Sequence, residues 1–253
     1  METFSILGTG WLGLALAKEL KGDFKVKVSI RNKAKEKDII NEGFSSYLLD
    51  EQNLQNLDFL LDCDYLFINF PPSKFDDYIQ FLKNIYENEN IKKCKKIIFI
   101  SSTSIYPNKE GTFSEDIEIT EPKSKLVFSA ENFVKDKTDV IFRCSGLMGY
   151  NRIAGRYFSG KVLDSEDMKI NYVHRDDIIK ATKFVIEKNL SGIYNLCSKI
   201  HPSKKEIYLN NALKYGFEPP IFKDKKEYKE RLIDGSKIES KGFKYDYPNP
   251  LEY

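Results

Sequence analysis

Phe4-Ser5-Ile6-Leu7-Gly8-Thr9-Gly10-Trp11-Leu12-Gly13 is the stretch that decides the fold. Its first four residues read as a short strand, and the apolar positions from Leu12 to Leu20 recur at helical spacing, so a strand passes directly into a helix. Three glycines in a Gly-x-Gly-x-x-Gly array occupy the connection. Glycine permits a tight turn and a close approach of backbone to ligand, while the opening helix offers unpaired N–H groups and the positive end of its dipole. That combination suits a pyrophosphate, and a strand-loop-helix context is where the array carries this meaning. Gly8, Gly10 and Gly13, with Trp11 and Leu12 between them, are therefore read as the phosphate loop of a dinucleotide-binding domain.

The alternation continues outward from the loop. Residues 25–30, 46–49, 65–70, 97–100, 140–143 and 192–196 read as strands, and 34–41, 78–87, 126–134 and 176–187 as amphipathic helices. Strands alternating with helices imply right-handed crossovers and a mainly parallel sheet. The predicted fold class is α/β, a Rossmann-type doubly wound parallel sheet with a small C-terminal substrate cap. Regularity lapses in the Gly-, Asn- and Arg-bearing loops of 146–160, and again in the Lys-rich helical stretch and the tail after residue 199. The core is expected over 1–146, with 171–198 returning to it, and the cap over 147–170 and 199–253.

The chain has 253 residues, with 40 Lys and Arg against 38 Asp and Glu. Such a balance requires no strongly basic face, so nucleic acid is not an expected partner. The tracts Lys92-Lys93-Cys94-Lys95-Lys96 and Lys223-Asp224-Lys225-Lys226 read as solvated connectors. No apolar run reaches the roughly 18 to 20 residues that cross a bilayer, and no basic leader precedes the first strand. A cytoplasmic protein without a membrane partner is expected. Cys63, Cys94, Cys144 and Cys197 lack CxxC spacing and do not group with the two histidines, which predicts reduced structural thiols and no metal site.

Cofactor choice rests on the end of the second strand. In an NAD-type site an Asp or Glu about 20 residues beyond the loop bonds the ribose 2′-hydroxyl. Here Ile30 is followed by Arg31-Asn32-Lys33. Arg31 can grip a 2′-phosphate bidentately, with Lys33 as a second charge; the plainer reading is a surface arginine. NADP is thus the expected cofactor and NAD the alternative. Asp50 either meets the adenine amino group or simply ends its strand.

The order of motifs resembles the short-chain dehydrogenase/reductase superfamily, in its extended or atypical branch of NAD-dependent epimerase/dehydratase-like proteins, over nearly the whole chain. The resemblance is carried by the glycine loop, Phe67-Ile68-Asn69-Phe70-Pro71-Pro72, Ile100-Ser101-Ser102-Thr103-Ser104-Ile105-Tyr106 with Glu115, Arg143-Cys144-Ser145-Gly146-Leu147, and Asn171-Tyr172-Val173-His174-Arg175-Asp176-Asp177. The Trp-Leu-Gly wording of the loop is similar to that of bacterial proteins close to nucleoside-diphosphate-sugar epimerases. The likeness implies that Phe70 and Pro71 lie against the cofactor and that Ser102, four residues before Tyr106, polarises a substrate hydroxyl or carbonyl. Ser101 and Thr103 would point elsewhere, because side chains alternate along a strand. It further implies that Arg152 and Arg156 meet a substrate phosphate, that His174 lines the substrate, and that a homodimer can form. Each has a plainer alternative: a hydroxyl that satisfies a strand end, solvated ion pairs, and a structural histidine. Asp176 reads as a helix N-cap.

Working enzymes of that superfamily carry Tyr-x-x-x-Lys in the next helix, and this chain has no tyrosine there. In the register set by Glu131 the two places fall to Lys123 and Val127; in that set by Pro122 they fall to Leu126 and Ala130. A Tyr-x-x-x-Lys does occur at Tyr157 to Lys161, in the cap region and interrupted by Gly160. A missing general acid or base slows such chemistry by about 10²- to 10⁴-fold. Lys123, Tyr106 and His174 are candidates to replace it. The expected function is an NADP-binding oxidoreductase or epimerase-like enzyme acting on a sugar nucleotide or another small polar substrate. The alternative is a non-catalytic NADP-binding sensor or scaffold protein.

Overall fold

Leu66, Phe67 and Ile68, and Ile97, Ile98 and Phe99, are all buried whichever way their side chains point, the mark of strands covered on both faces. They belong to a computed structural model that describes residues 1–164, 167–223 and 229–253. The strands are β1 (Thr3–Leu7), β2 (Lys25–Ile30), β3 (Ser46–Leu48), β4 (Tyr65–Ile68), β5 (Lys96–Ser102), β6 (Gly111–Phe113), β7 (Val140–Cys144), β8 (Gly146–Met148), β9 (Val162–Leu163), β10 (Tyr172–His174), β11 (Gly192–Leu196), β12 (Ile221–Phe222) and β13 (Arg231–Ile233). Seven form the central sheet in the order β11-β7-β5-β4-β1-β2-β3. The pairings from β3 to β5 are parallel, with Ile6 opposite Val28 on one side and Phe67 on the other. The chain reverses its direction of travel across the sheet between β1 and β4, the topological position at which open α/β sheets bind ligands.

Helices α1 (Trp11–Leu20), α2 (Glu36–Asn41), α3 (Leu57–Leu61), α4 (Tyr78–Tyr86), α5 (Lys125–Val134), α6 (Arg175–Glu187), α7 (Lys204–Tyr215) and α8 (Ser236–Glu239) connect them. Their starts have local causes. Asp77 accepts from the Gln80 amide at the head of α4, and Ser203 and Glu206 form a reciprocal capping box at the head of α7. Gly216, left-handed at φ 65°, ends α7. The charged helix expected over 34–41 begins as a 3₁₀ turn, capped by Asn32, and becomes α-helical only at Glu36.

The chain divides into two compact units. The first comprises 1–101, 125–142 and 182–193, and the second 102–124, 143–181 and 194–253. In the first, Leu7, Leu66, Ile68, Ile97 and Phe99 pack with Tyr78, Phe81, Leu82 and Ile85 of α4 and with Ala130 and Val134 of α5. The second has a smaller core around Met148, Ala154, Ile170, Ile207, Tyr208 and Tyr253. It also contains the two-stranded parallel pairs β8/β10, β9/β12 and β6/β13. Among the described residues no helix is long and apolar enough to cross a membrane.

Candidate functional site

The glycine loop, in the first unit, shows three different demands on its three glycines. Gly8 follows β1 at φ +96°, and a Cβ there would lie 2.3 Å from the Asn69 carbonyl oxygen just beyond β4. A Cβ on Gly13 would lie 2.4 Å from the Gly8 carbonyl oxygen. Both are therefore imposed by the chain's own packing. At Gly10, where φ is −93°, a Cβ would meet nothing within 4 Å. The fold does not need that glycine, whereas a pyrophosphate approaching the backbone would. The loop is fixed by bonds to β2: the Gly8 amide donates to Ser29 Oγ at 2.9 Å and the Thr9 amide to the Ser29 carbonyl at 3.0 Å. Thr9 Oγ1 is buried and has no hydrogen-bond partner. The first turn of α1 contains no acid, and Gly10 gives it no side-chain cap. A buried hydroxyl needing a partner, the acid-free head of α1 and the clearance at Gly10 together fit a bound pyrophosphate.

The remaining cofactor candidates occupy distinct environments. Arg31 donates from Nη2 to the Lys74 carbonyl and stacks at 4.2 Å over the Phe75 ring, while its Nε is buried without a partner. Asp50 Oδ1 accepts from the amides of Gln52 and Asn53 and from Asn53 Nδ2, closing the turn after β3. Leu12 is buried and Trp11 half-buried. Phe70 is a core residue, edge-on to Phe75 and Phe81 at 5.5 and 5.1 Å, and Pro71 is exposed at the start of a 3₁₀ turn. Ser101 points as alternation requires, donating to Glu131 Oε2 at 2.6 Å in a buried bond.

In the second unit Ser102 is half-buried, and its Oγ accepts the Ser104 amide at 3.1 Å, capping a 3₁₀ turn. That turn is anchored by Tyr106, which is fully buried. The Tyr106 hydroxyl donates to Asn195 Oδ1 and accepts from Arg143 Nη1, each at 2.8 Å. Arg143 also donates to the Glu115 carbonyl, and Glu115 Oε1 accepts the Asn195 amide at 2.6 Å. Burial raises the Tyr106 hydroxyl and the Glu115 carboxyl above their ordinary values. Several motif residues thus meet in one buried network that fixes the strand end carrying Ser102.

Lys123 donates its amide to the Tyr106 carbonyl, and Ser124 donates to the Ser104 carbonyl, so Lys123 is held beside this turn, just ahead of α5. Although Lys123 is exposed overall, partial desolvation and the Arg231 charge hold its ammonium below the ordinary range. Arg231 itself donates from Nη1 to the carbonyls of Thr103 and Tyr106. The sequence reading missed it; its only signal was a cation opening the apolar run Arg231-Leu232-Ile233 after a Lys-rich stretch.

His174 is 3% exposed, packed at 3.7 Å against the tilted ring of Tyr247 and edge-on to Tyr253 at 4.9 Å. Its Nδ1 accepts the Asp176 amide, which places the proton on Nε2 in the neutral ring, and burial lowers its pKa. The cap of α6 is accordingly this imidazole. Asp176 lies inside the first turn, where its carboxylate receives Tyr150 Oη and Arg175 Nε, contrary to the expected N-cap role. Its neighbour Asp177, fully buried, accepts the amides of Asp246 and Tyr247 and holds the C-terminal tail. Arg152 and Arg156 are both exposed. Partial desolvation lowers Arg152, and Arg156 reaches over the rings of Tyr215 and Phe217 at 5.9 and 5.7 Å. The Tyr157/Lys161 pair meets as a cation over an exposed ring at 4.0 Å. Among the described residues no three His, Cys, Asp or Glu side chains group as metal ligands.

Curated sequences resemble the chain over almost its full length. Protein YeeZ of Escherichia coli strain K12 is 31% identical over 274 residues, which span 99% of this chain and 98% of that protein. The ADP-L-glycero-D-manno-heptose-6-epimerase of Brachyspira hyodysenteriae is 26% identical, over 95% of this chain and 91% of the enzyme. Among solved structures, a provisionally assigned NAD-dependent epimerase/dehydratase from Methylobacillus flagellatus superposes with a TM-score of 0.83 at 19% identity, covering 99% and 95% of the two chains. No family model matches the sequence.

Proposed function

Because the chain belongs to the family of E. coli protein YeeZ, within the NAD-dependent epimerase/dehydratase-like branch of the short-chain dehydrogenase/reductases, we propose that it binds a nicotinamide dinucleotide and acts on a sugar nucleotide or another small polar substrate. The observation that carries this reading is the contrast within the loop: Gly8 and Gly13 are crowded by backbone, and Gly10 faces open space. Such a cofactor supplies a hydride acceptor or donor. The amides at the head of α1 would bind its pyrophosphate, and Thr9 Oγ1 would gain the partner it lacks. NADP is favoured over NAD because no acid ends β2 and Arg31, its guanidinium over the Phe75 ring, retains a buried, unpartnered Nε. In the second unit Ser102 would orient and polarise a substrate oxygen, from a strand end made rigid by the Tyr106 network. In the register set by Glu131, Lys123 would take the place of the absent tyrosine; its depressed pKa suits proton transfer better than an ordinary lysine would.

The rival reading, a binding module without turnover, is favoured by one observation: neither register of the 121–131 stretch supplies the ribose-holding lysine, Val127 falling there in one and Ala130 in the other. Titration of Trp11 fluorescence with NADPH and NADH tests the cofactor claim. Quenching that is tighter for NADPH, and weakened selectively by Arg31→Ala, is expected. An equal or tighter response to NADH would remove the NADP preference, and silence toward both would remove the dinucleotide.

A further inference from the structure

Two of the four cysteines lie together at the edge of the sheet that the glycine loop does not use. Cys63 precedes β4 and Cys94 precedes β5, whereas the loop follows the opposite end of β1. Tyr65 is opposite Lys96 in the parallel register. Two residues further back on each chain, the same register sets Cys63 opposite Cys94, and their Sγ atoms are 3.7 Å apart. Parallel neighbours are about 4.8 Å apart, inside the span of about 4.4 to 6.8 Å that a disulfide bridges between Cα atoms. Both residues sit in short turns, one after α3 and one after a 3₁₀ helix, so closing the sulfurs asks for side-chain rotation more than strand movement.

The pair is chemically asymmetric. Cys63 is 7% exposed and Cys94 is half-buried. The hydrogen bond between them holds the Cys94 thiol below its ordinary value and, with burial, pushes Cys63 up. Lys27 Nζ donates to the carbonyls of Phe59 and Asp62, which holds a cation at the residue preceding Cys63. Cys144 and Cys197 have no such neighbour among the described thiols, and burial pushes both upward, Cys197 to about 12.

We propose that Cys63 and Cys94 are a peroxide-reactive dithiol site that closes to a reversible intramolecular disulfide. The Cys94 thiolate attacks one oxygen of hydrogen peroxide; the O–O bond breaks, and the departing hydroxide takes up the proton that Cys94 released, leaving as water. Cys94 is then a sulfenic acid. Cys63 sulfur attacks Cys94 sulfur, the S–O bond breaks, and the Cys63 proton leaves with that oxygen as a second water. Two thiols have lost two electrons and one peroxide has gained them. The lysines around Cys94 in the sequence are engaged elsewhere: Lys92 with Glu89, Lys95 with Glu2 and Asp64, Lys96 with the Leu190 carbonyl.

The test uses the full chain, freed of reductant and treated with one equivalent of hydrogen peroxide, then alkylated and mapped without reduction. The expected product is a peptide linking Cys63 to Cys94, lighter than its two parts by two hydrogens, with Cys144 and Cys197 still alkylatable and dithiothreitol restoring all four thiols. Cys63→Ser should leave a sulfenic acid on Cys94 that dimedone traps, and Cys94→Ser should leave Cys63 unoxidised at the same dose. Should either variant not fold, phenylarsine oxide on the unaltered protein gives the same reading, since it bridges only two thiols within reach; it should protect Cys63 and Cys94 from alkylation. Four alkylatable thiols after peroxide, a link between other cysteines or between two chains, or no protection by the arsenical would overturn the proposal.

Discussion

The three loop glycines allow stability and ligand binding to be separated by the same substitution at three positions. A methyl group at Gly8 would lie 2.3 Å from the Asn69 oxygen, and φ is +96° there. Overlap with fixed backbone together with a disfavoured dihedral places Gly8→Ala among substitutions costing roughly 3 kcal/mol or more. In Gly13→Ala the helix would gain about 1 kcal/mol in propensity, but a methyl 2.4 Å from the Gly8 oxygen cannot be housed without prising α1 off the loop. A net loss is expected. Gly10→Ala meets nothing and keeps a negative φ, so its unfolding free energy should stay within about 0.5 kcal/mol of the unaltered chain. Its methyl group would instead hold a pyrophosphate away from the loop amides. Losing one or two hydrogen bonds to a charged partner, each worth about 1.5 to 3 kcal/mol, weakens the dinucleotide by roughly 10- to 20,000-fold. Thermal unfolding and calorimetric titration with NADPH and NADH, run on all three variants, give both quantities. A Gly10→Ala protein that binds as tightly as the unaltered chain would refute the assignment of the loop; one that unfolds with Gly8→Ala would refute the reading of its open space.

Tyr106→Phe leaves Asn195 Oδ1 and Arg143 Nη1 each short of a buried partner, so a loss of about 1 to 3 kcal/mol is expected. At this chain length that lowers the melting temperature by roughly 2 to 4 °C per kcal/mol; no change in melting would show that the network contributes nothing. Asp177 has a folded pKa raised by burial to about 6, against 3.8 for the free side chain, so its contribution to stability is full below about 3.8 and is lost as the pH rises through about 6. Asp177→Asn should remove that component, on the order of 3 kcal/mol at most, making melting less dependent on pH between 4 and 6.5. An unchanged pH slope would contradict it. Ser102→Ala should lower NADPH-linked turnover of a nucleotide sugar by about 10²-fold and leave cofactor affinity unchanged; turnover that survives the change would remove Ser102 from the chemistry. Lys123→Met and Lys123→Arg should both abolish the alkaline-side rise of the pH profile, because an arginine stays protonated throughout, whereas a purely structural lysine would be rescued by arginine.

Most of the fold was legible because the sheet's signals are local. The β-prone runs at 4–7, 25–30 and 97–100 and the helical spacing from Leu12 to Leu20 need no distant partner to be read, and the strands and helices appear close to those positions. What was not legible is what tertiary context decides. The five-residue α3 buries Leu57, Leu60 and Leu61 without a side-chain cap, too short a helix to leave a period. Strands of two or three residues such as β9, β12 and β13 carry no alternation, and each exists only because a partner distant in sequence pairs with it. Asp176 looked like a cap because an acid precedes an apolar stretch, yet the helix starts at Arg175 and the preceding imidazole supplies the acceptor. Arg231 and Asp177 take their roles from segments some 60 to 130 residues away, which no window on the sequence brings together.

The same network bears on what the motifs say about chemistry. Tyr106, Glu115 and Arg143 are among the residues through which the sequence resembles working dehydrogenases and epimerases, and here they are spent on one another: hydroxyl to amide, guanidinium to hydroxyl, carboxylate to backbone. Burial of a charged guanidinium and a carboxyl requires all these bonds together, because removing any one leaves a desolvated group unpaired. Such a set is self-sustaining whether or not a reaction takes place beside it. Its presence therefore argues for the position and rigidity of the Ser102 strand end, and not for turnover. Turnover has to be argued from groups the network does not need, and in this chain those are the Ser102 hydroxyl and the Lys123 amine. Only the second is unusual for the fold, since in the register set by Glu131 it would put a base with a depressed pKa where a tyrosine would otherwise stand. The pH profile of the Lys123 variants is thus the measurement on which the choice between enzyme and binding module turns.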